Sequence, residues 1–267
     1  MSTTQTESTV WLPKSQVGIF SLATKTTRGS FYWLDIYQLF YLFFLSFQAE
    51  AAEWSPDKIP LTISVEGIIG AGKSQCLSYL STYDTVEIQP EPVEAWQNWD
   101  NINLLDLFYQ DPCTYGYLFQ NYVQLTLLER HLQPPRNNIR IMERSIYSSH
   151  HVFQRHLSES LELDEIENRL LTSWFDLLTT GPTHPMHLDL IVYIRVDPLK
   201  ALERIQDRNR WEERFISLDY LESLEHYHKQ WLMQTQIPVL ILDGNKPLNQ
   251  MPEEYEKIVK SMMTMLK

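Results

Sequence analysis

From Leu61 onward, short apolar runs alternate with longer stretches whose apolar residues recur every three or four positions. The runs Leu61–Val65, Val86–Ile88, Ile139–Met142, Leu188–Ile194 and Val239–Leu242 have the length and β-rich composition of buried strands. Helical spacing covers 104–109, 117–132, a stretch from Ile146, and 163–179. Tyr220, Leu221, Leu224, Tyr227 and Trp231 mark a further amphipathic helix, and a terminal helix follows the last strand. Short, largely apolar strands that alternate with helices predict a parallel sheet covered on both faces. The expected fold is one α/β domain over 57–267, with no internal repeat and no long linker.

Residues 1–56 do not share this pattern. The first 30 are rich in Ser and Thr, with Lys14, Lys25 and Arg28 against the single acid Glu7. An aromatic and aliphatic stretch, 31–47, follows. It is a poor membrane span, because Asp35 and Gln38 interrupt it and the clean run is only Leu39–Leu45, against about 20 residues for a crossing helix. A secretory signal fits the apolar core and the small residues after it, but the leading segment is long. A mitochondrial transit segment fits the scarcity of acids, though Arg is scarce too. A poorly ordered extension without a role in the fold is the fourth reading. Membrane contact through 31–47 is the least favoured use, and a mitochondrial location is favoured slightly over a cytoplasmic one.

Composition narrows the classes. The 267 residues carry 22 Lys and Arg against 34 Asp and Glu, a net charge of −12. Such a chain has no general attraction for nucleic acid or anionic membrane, so an anionic ligand must be held by a few placed cations. The two cysteines, Cys76 and Cys113, exclude a disulfide scaffold, and the eight histidines show no zinc-ligand spacing.

Gly67-Ile68-Ile69-Gly70-Ala71-Gly72-Lys73-Ser74 matches the phosphate-loop pattern G-x-x-x-x-G-K-[ST], with a strand before it and a helix predicted from Lys73. The glycines let backbone N–H groups turn inward, and the helix N-terminus adds positive dipole. Lys73 reaches β- and γ-phosphates, and the Ser74 hydroxyl ligates Mg²⁺. Other candidates are weaker singly. Glu91-Pro92-Val93 follows the second strand, where a carboxylate faces the ligand crevice and can take a proton from a substrate hydroxyl; alone it reads as a solvated turn. Glu143-Arg144-Ser145 ends the third strand, where an acid serves magnesium; alone, the Glu and Arg read as a surface ion pair. Arg204 and Arg208 share a helix face, and with Arg210 they can close over a phosphoryl group, or form an ordinary solvated face among Glu203, Asp207, Glu212 and Glu213. Gln120 offers an amide that donates to and accepts from a nucleobase edge. Trp96 and Phe153 can sandwich a flat ring, or be core.

Taken in order, Glu66-Gly67 through Ser74, Glu91-Pro92-Val93 with Trp96, Phe119-Gln120, Glu143-Arg144-Ser145 and Arg204-x-x-x-Arg208-x-Arg210-x-Glu212-Glu213 resemble the deoxynucleoside kinase family. The resemblance spans about 60–245. Segments Asn103–Tyr109, Phe119–Leu128 and Met142–Ser148 are most similar to the branch of mitochondrial thymidine kinases and insect multisubstrate enzymes. It implies a phosphate-loop kinase with a five-stranded parallel sheet, helices on both faces and a homodimeric assembly, using ATP and Mg²⁺ to phosphorylate the 5′-hydroxyl of a deoxynucleoside in nucleotide salvage. Carried onto this chain, Glu91 is the general base, with Arg144 beside it. A carboxylate is a weak base toward an alcohol, so its positioning carries most of the effect. Ser74 and Glu143 serve Mg²⁺. Gln120 pairs with a base stacked between Trp96 and Phe153, in a pocket that also includes Phe119 and Val123. Tyr109 and Glu213 hold the sugar 3′-hydroxyl, and Arg204, Arg208 and Arg210 form a lid over the ATP phosphates. Where purine-accepting relatives place Arg and Asp, this chain has Leu127 and Ser149, which implies thymidine and deoxycytidine as substrates. Ile68 stands where the relatives usually carry Asn, and Gln75 where they carry Thr.

Rival expectations are a nucleoside monophosphate kinase, a nucleotide-dependent switch and a membrane-tethered inactive adaptor. The first needs extra cations for an acceptor phosphate. The second lacks an Asn-Lys-x-Asp base-reading motif. Lys73, Glu91 and Arg144 together speak against the third.

Overall fold

A computed structural model describes residues 60–180 and 186–266. The N-terminal 56 residues, with the apolar stretch 31–47, lie outside the described residues. Among those described, no helix is long and apolar enough to cross a membrane.

Five strands, β1 (Leu61–Glu66), β2 (Val86–Gln89), β3 (Ile139–Glu143), β4 (Leu190–Arg195) and β5 (Val239–Asp243), form one sheet in the order β2-β3-β1-β4-β5. Every pairing is parallel. Each crossover carries helices: α1 (Lys73–Leu80), α2 (Val93–Gln97), α3 (Leu104–Gln110), α4 (Pro112–Leu132), α5 (Ile146–Ser148), α6 (Arg155–Glu159), α7 (Glu165–Thr179), α8 (Pro198–Arg208) and α9 (Leu218–Gln234); α10 (Met251–Met265) follows β5. All six β1 residues are buried, the polar Thr62, Ser64 and Glu66 included, as the central place of the strand in a sheet covered on both faces requires. The main core packs β1, β3 and β4 against α1, α9 and α10, with Ile63, Val65, Ile141, Val192 and Leu224 fully buried. A fully buried side chain of this size contributes about 1.5–3 kcal/mol.

Most boundaries follow the periodicity, and the exceptions have local causes. The fourth strand begins at Leu190 because Asp189 is diverted: its carboxylate accepts from the Thr62 amide at 2.7 Å and its own amide donates to the Thr62 carbonyl at 2.8 Å. α4 starts five residues earlier than its apolar pattern, because Asp111 caps the Thr114 amide and Pro112 opens the first turn. The helical stretch from Ile146 is not uniform. Between α5 and α6 it widens into a π-helical turn, Ser149–Gln154, which re-aims Ser149 and Phe153 in a way no 3.6-residue period predicts.

Candidate active site

The carboxyl ends of β1, β2 and β3 open onto one cleft of about 930 Å³, at the end of the sheet where ligands of such folds bind. Beyond β1, the chain turns through the phosphate loop into α1. A Cβ at Gly67 (φ 148°) would lie 2.7 Å from the Ile194 carbonyl oxygen, and one at Gly70 (φ 80°) would lie 2.5 Å from that of Ala201. Only glycine fits either place. Ile68 contributes backbone: its carbonyl accepts from the Ala71 amide and, at 3.2 Å, from Lys73 Nζ. Lys73 also reaches the Gly67 carbonyl at 3.4 Å. Burial and the neighbouring Arg144 lower the Lys73 ammonium to about 8. Ile69, Gly70, Gly72, Lys73 and Ser74 line the cleft.

The acids and the arginine of the predicted constellation meet. Glu143, at the end of β3, accepts from the Ser74 hydroxyl at 3.0 Å. Arg144 Nε donates to Glu91 Oε1 at 2.7 Å, and its Nη1 donates to the Gly67 carbonyl at 3.0 Å. Its backbone is left-handed (φ 61°), an unusual state for a non-glycine residue. That kink lets Glu143 and Arg144 both face the phosphate loop. The guanidinium lies 4.6 Å over the Phe153 ring. So the Glu91–Arg144 pair is a part of the cleft wall, with side chains 18% and 6% exposed, and not a surface ion pair.

The apolar half of the cleft is built on α2, α3 and α4. Trp96, Phe119, Gln120, Val123 and Leu127 line it, facing Ser149 and Phe153 from the π-helical turn. Trp96 and Phe119 are also core: they meet edge to face at 5.6 Å, and Phe119 stacks on Phe108 at 4.6 Å. The Trp96 indole N–H donates to the Thr126 hydroxyl at 3.0 Å, which fixes the ring plane. The Ser149 hydroxyl donates to Gln120 Oε1 at 3.3 Å.

The arginines of the predicted lid behave differently from one another. Arg208 donates to both oxygens of Glu213, at 2.7 and 2.8 Å, and Arg210 donates to Glu213 at 2.9 Å. Both line the main cleft with Tyr109, whose hydroxyl burial holds firmly protonated. Arg204 is separate. It donates to the Gly244 carbonyl at 2.8 Å and lines a second, smaller cleft behind the phosphate loop with Gly70, Ala71, Gly72, Gln75 and Arg208. The arginines therefore do not converge on one point.

Several residues escaped the sequence reading. Glu66 is fully buried and accepts from the Ser145 hydroxyl at 2.6 Å, tying the foot of the phosphate loop to the turn that presents Arg144. Glu66 heads the phosphate-loop segment that carries the family resemblance, but no signal along the chain marked it for this role. Tyr220, Leu105 and Phe108 complete the cleft wall from distant helices; their helical pattern was legible, their place at the cleft was not.

The family model described as deoxynucleoside kinase matches residues 63–267. This chain belongs to the deoxynucleoside kinase family. It is 37% identical over 214 residues to Thymidine kinase 2, mitochondrial, of Homo sapiens, covering 76% of this chain and 80% of that protein. Identity to Deoxycytidine kinase 2 of Gallus gallus is 31% over 237 residues, covering 76% and 89%. Deoxyguanosine kinase, mitochondrial, of Xenopus laevis is 33% identical over 212 residues, covering 68% and 80%. The five-stranded parallel sheet is the fold expected of the family, and the kinase uses ATP as phosphate donor.

Proposed function

We propose that this kinase transfers the γ-phosphoryl of ATP to the 5′-hydroxyl of thymidine and deoxycytidine. The observation that carries the reading is the Glu91–Arg144 pair, 2.7 Å apart on the wall shared by the phosphate loop and the aromatic pocket. A carboxylate there suits a neutral hydroxyl acceptor, since a monophosphate acceptor calls for cations. Arg144 orients Glu91 and ties it to the Gly67 carbonyl, so the base sits at a fixed place relative to the phosphates. Lys73 and the amides of the phosphate loop bind the donor phosphates. Ser74 and Glu143 present two hard oxygen ligands side by side, which fits Mg²⁺ completing its shell with phosphate and water. When bound, that ion offsets charge on the phosphate oxygens.

Gln120 reads the base edge, and Trp96 and Phe153 flank the ring. Leu127 and Ser149 themselves place no ionised group beside Gln120, which supports pyrimidines over purines. Tyr109 and Glu213 hold the 3′-hydroxyl, with Arg208 and Arg210 kept close by Glu213. Assembly as a homodimer is supported by α4 and α7, which pack together and expose Leu118, Leu125, Ile166, Leu170 and Leu177. Mitochondrial location is supported by the similarity to mitochondrial thymidine kinase 2 and by the acid-poor first 30 residues.

The test is ADP release by the full chain with ATP and Mg²⁺ on thymidine, deoxycytidine, deoxyguanosine and thymidine monophosphate. Turnover on the two pyrimidine nucleosides is expected. Faster turnover on deoxyguanosine would overturn the pocket reading, and turnover on the monophosphate alone would overturn the assignment of the acceptor.

A further inference from the structure

Glu212 is absent from the scheme above, although its neighbour Glu213 is part of it. Its side chain is buried, in the 3₁₀ turn Trp211–Phe215 that follows α8. One oxygen, Oε1, accepts from Gln97 Nε2 at 3.0 Å and from Asn103 Nδ2 at 2.8 Å. Gln97 ends α2 directly after Trp96, and Asn103 caps α3, which carries Phe108 and Tyr109. A second tie runs alongside: Arg214 Nη1 donates to Asp106 Oδ1, in the first turn of α3, at 2.8 Å. On the other side of the same turn, Glu213 clasps Arg208 and Arg210. The turn is thus stitched to the helices that wall the nucleoside pocket, and it also carries the arginines beside the phosphate loop. None of these stitches touches a reacting group.

We propose that Glu212 is a positioning residue, a latch that couples occupancy of the nucleoside pocket to the arginines of the phosphate site. The inference rests on the assignment of the aromatic pocket to the nucleoside. A carboxylate accepting two amide donors at one oxygen fixes α2, α3 and the turn relative to one another, so ordering either side orders the other. Such coupling is reciprocal: the nucleoside tightens ATP by the factor by which ATP tightens the nucleoside.

Asn103 allows a sharp test, because its two amide atoms do different work. Oδ1 caps the Asp106 amide at 3.0 Å, and Nδ2 donates to Glu212. Asn103→Asp keeps a good helix cap and turns the latch into a carboxylate pair. The experiment is calorimetric binding of a non-hydrolysable ATP analogue to the full chain, with and without thymidine, beside steady-state kinetics. In the unaltered kinase, thymidine is expected to tighten the analogue about tenfold. In Asn103→Asp and Glu212→Ala that ratio falls to about one, and KM for both substrates rises more than kcat falls. Glu212→Gln restores the ratio, because its amide oxygen can still accept from both donors. Gln97→Ala, at a half-buried position, lowers the ratio part-way and serves if Asn103→Asp fails to fold. A ratio of one in the unaltered kinase, an unchanged ratio in Asn103→Asp, or a Gln variant as damaged as the Ala variant would each overturn the latch. Binding without turnover keeps this separate from the catalytic assignment, whose failure shows as full turnover in Glu91→Gln.

Discussion

Arg144→Lys separates geometry from charge at the centre of the site. Arg144 makes two charge-assisted bonds, to Glu91 at 2.7 Å and to the Gly67 carbonyl at 3.0 Å, and its guanidinium lies over Phe153. A lysine ammonium keeps the charge but is a single point on a flexible stem, and it cannot bridge both acceptors in that fixed fork. One bond to a charged partner is therefore lost, worth about 1.5–3 kcal/mol. If that energy positions Glu91 in the transition state, kcat/KM falls about 10- to 150-fold. Backbone strain at φ 61° is common to both residues and cancels in the comparison. Stability should change less than activity, because Glu91 is partly exposed and water can replace its lost donor. The assay is ADP release across a thymidine series, with urea unfolding of the same samples. An Arg144→Lys variant within twofold of the unaltered kinase in kcat/KM would refute the positioning argument. A fall in activity that tracks an equal fall in folding stability would refute it too.

Two further outcomes follow from burial and backbone. His131 and His228 are both held down to about 3, by burial first and then by nearby arginines, Arg140 and Arg130 for His131 and Arg144 for His228. Their folded values lie below the unfolded value near 6.5, so stability is fully present above about pH 6.5 and declines as pH falls below it, while the unfolded chain takes up the protons. The slope is about 1.4 kcal/mol per pH unit for each such histidine, His151 (held down to about 4 by burial) among them, which urea unfolding at pH 7, 6 and 5 resolves; His228→Gln should lower the slope by about that one contribution, and a flat profile in the unaltered chain would contradict this. Gly70→Ala places a methyl 2.5 Å from the Ala201 carbonyl at a left-handed residue, so the phosphate loop must shift from α8. Strain of about 1–2 kcal/mol comes from the backbone alone, and ATP affinity measured by calorimetry should fall at least tenfold; unaltered affinity would count against the fit described at this glycine.

The fold was legible because its signals are local. Five apolar runs needed no distant information, and the all-parallel arrangement followed from the helices between them. The phosphate loop was legible for the same reason, since eight consecutive residues carry it. Glu91 and Arg144 are 53 positions apart, and each alone was ambiguous; only a family pattern put them together, and the structure closes them to 2.7 Å. The arginines were legible as a cluster but not as individuals. α8 ends at Asn209 in a left-handed turn, which sends Arg210 to Glu213 and leaves Arg204 with Gly244. The π-helical turn at Ser149–Gln154 was not legible, because six residues are too few to tell its wider period from 3.6. The ties of Glu212 were hidden for a different reason: its partners Gln97 and Asn103 are neutral, and neutral amides at helix ends give no charge pattern.

The central claim is that Glu91 takes the proton from a nucleoside 5′-hydroxyl in a phosphate-loop kinase. Glu91→Gln tests it most directly, because the amide keeps the shape and an oxygen toward Arg144 while losing the base. The measurement is kcat for thymidine with ATP and Mg²⁺, beside binding of thymidine and of the ATP analogue to the same protein. The account predicts a fall in kcat of about 10²–10⁴ with both ligands still bound. Turnover within a few-fold of the unaltered kinase would contradict it.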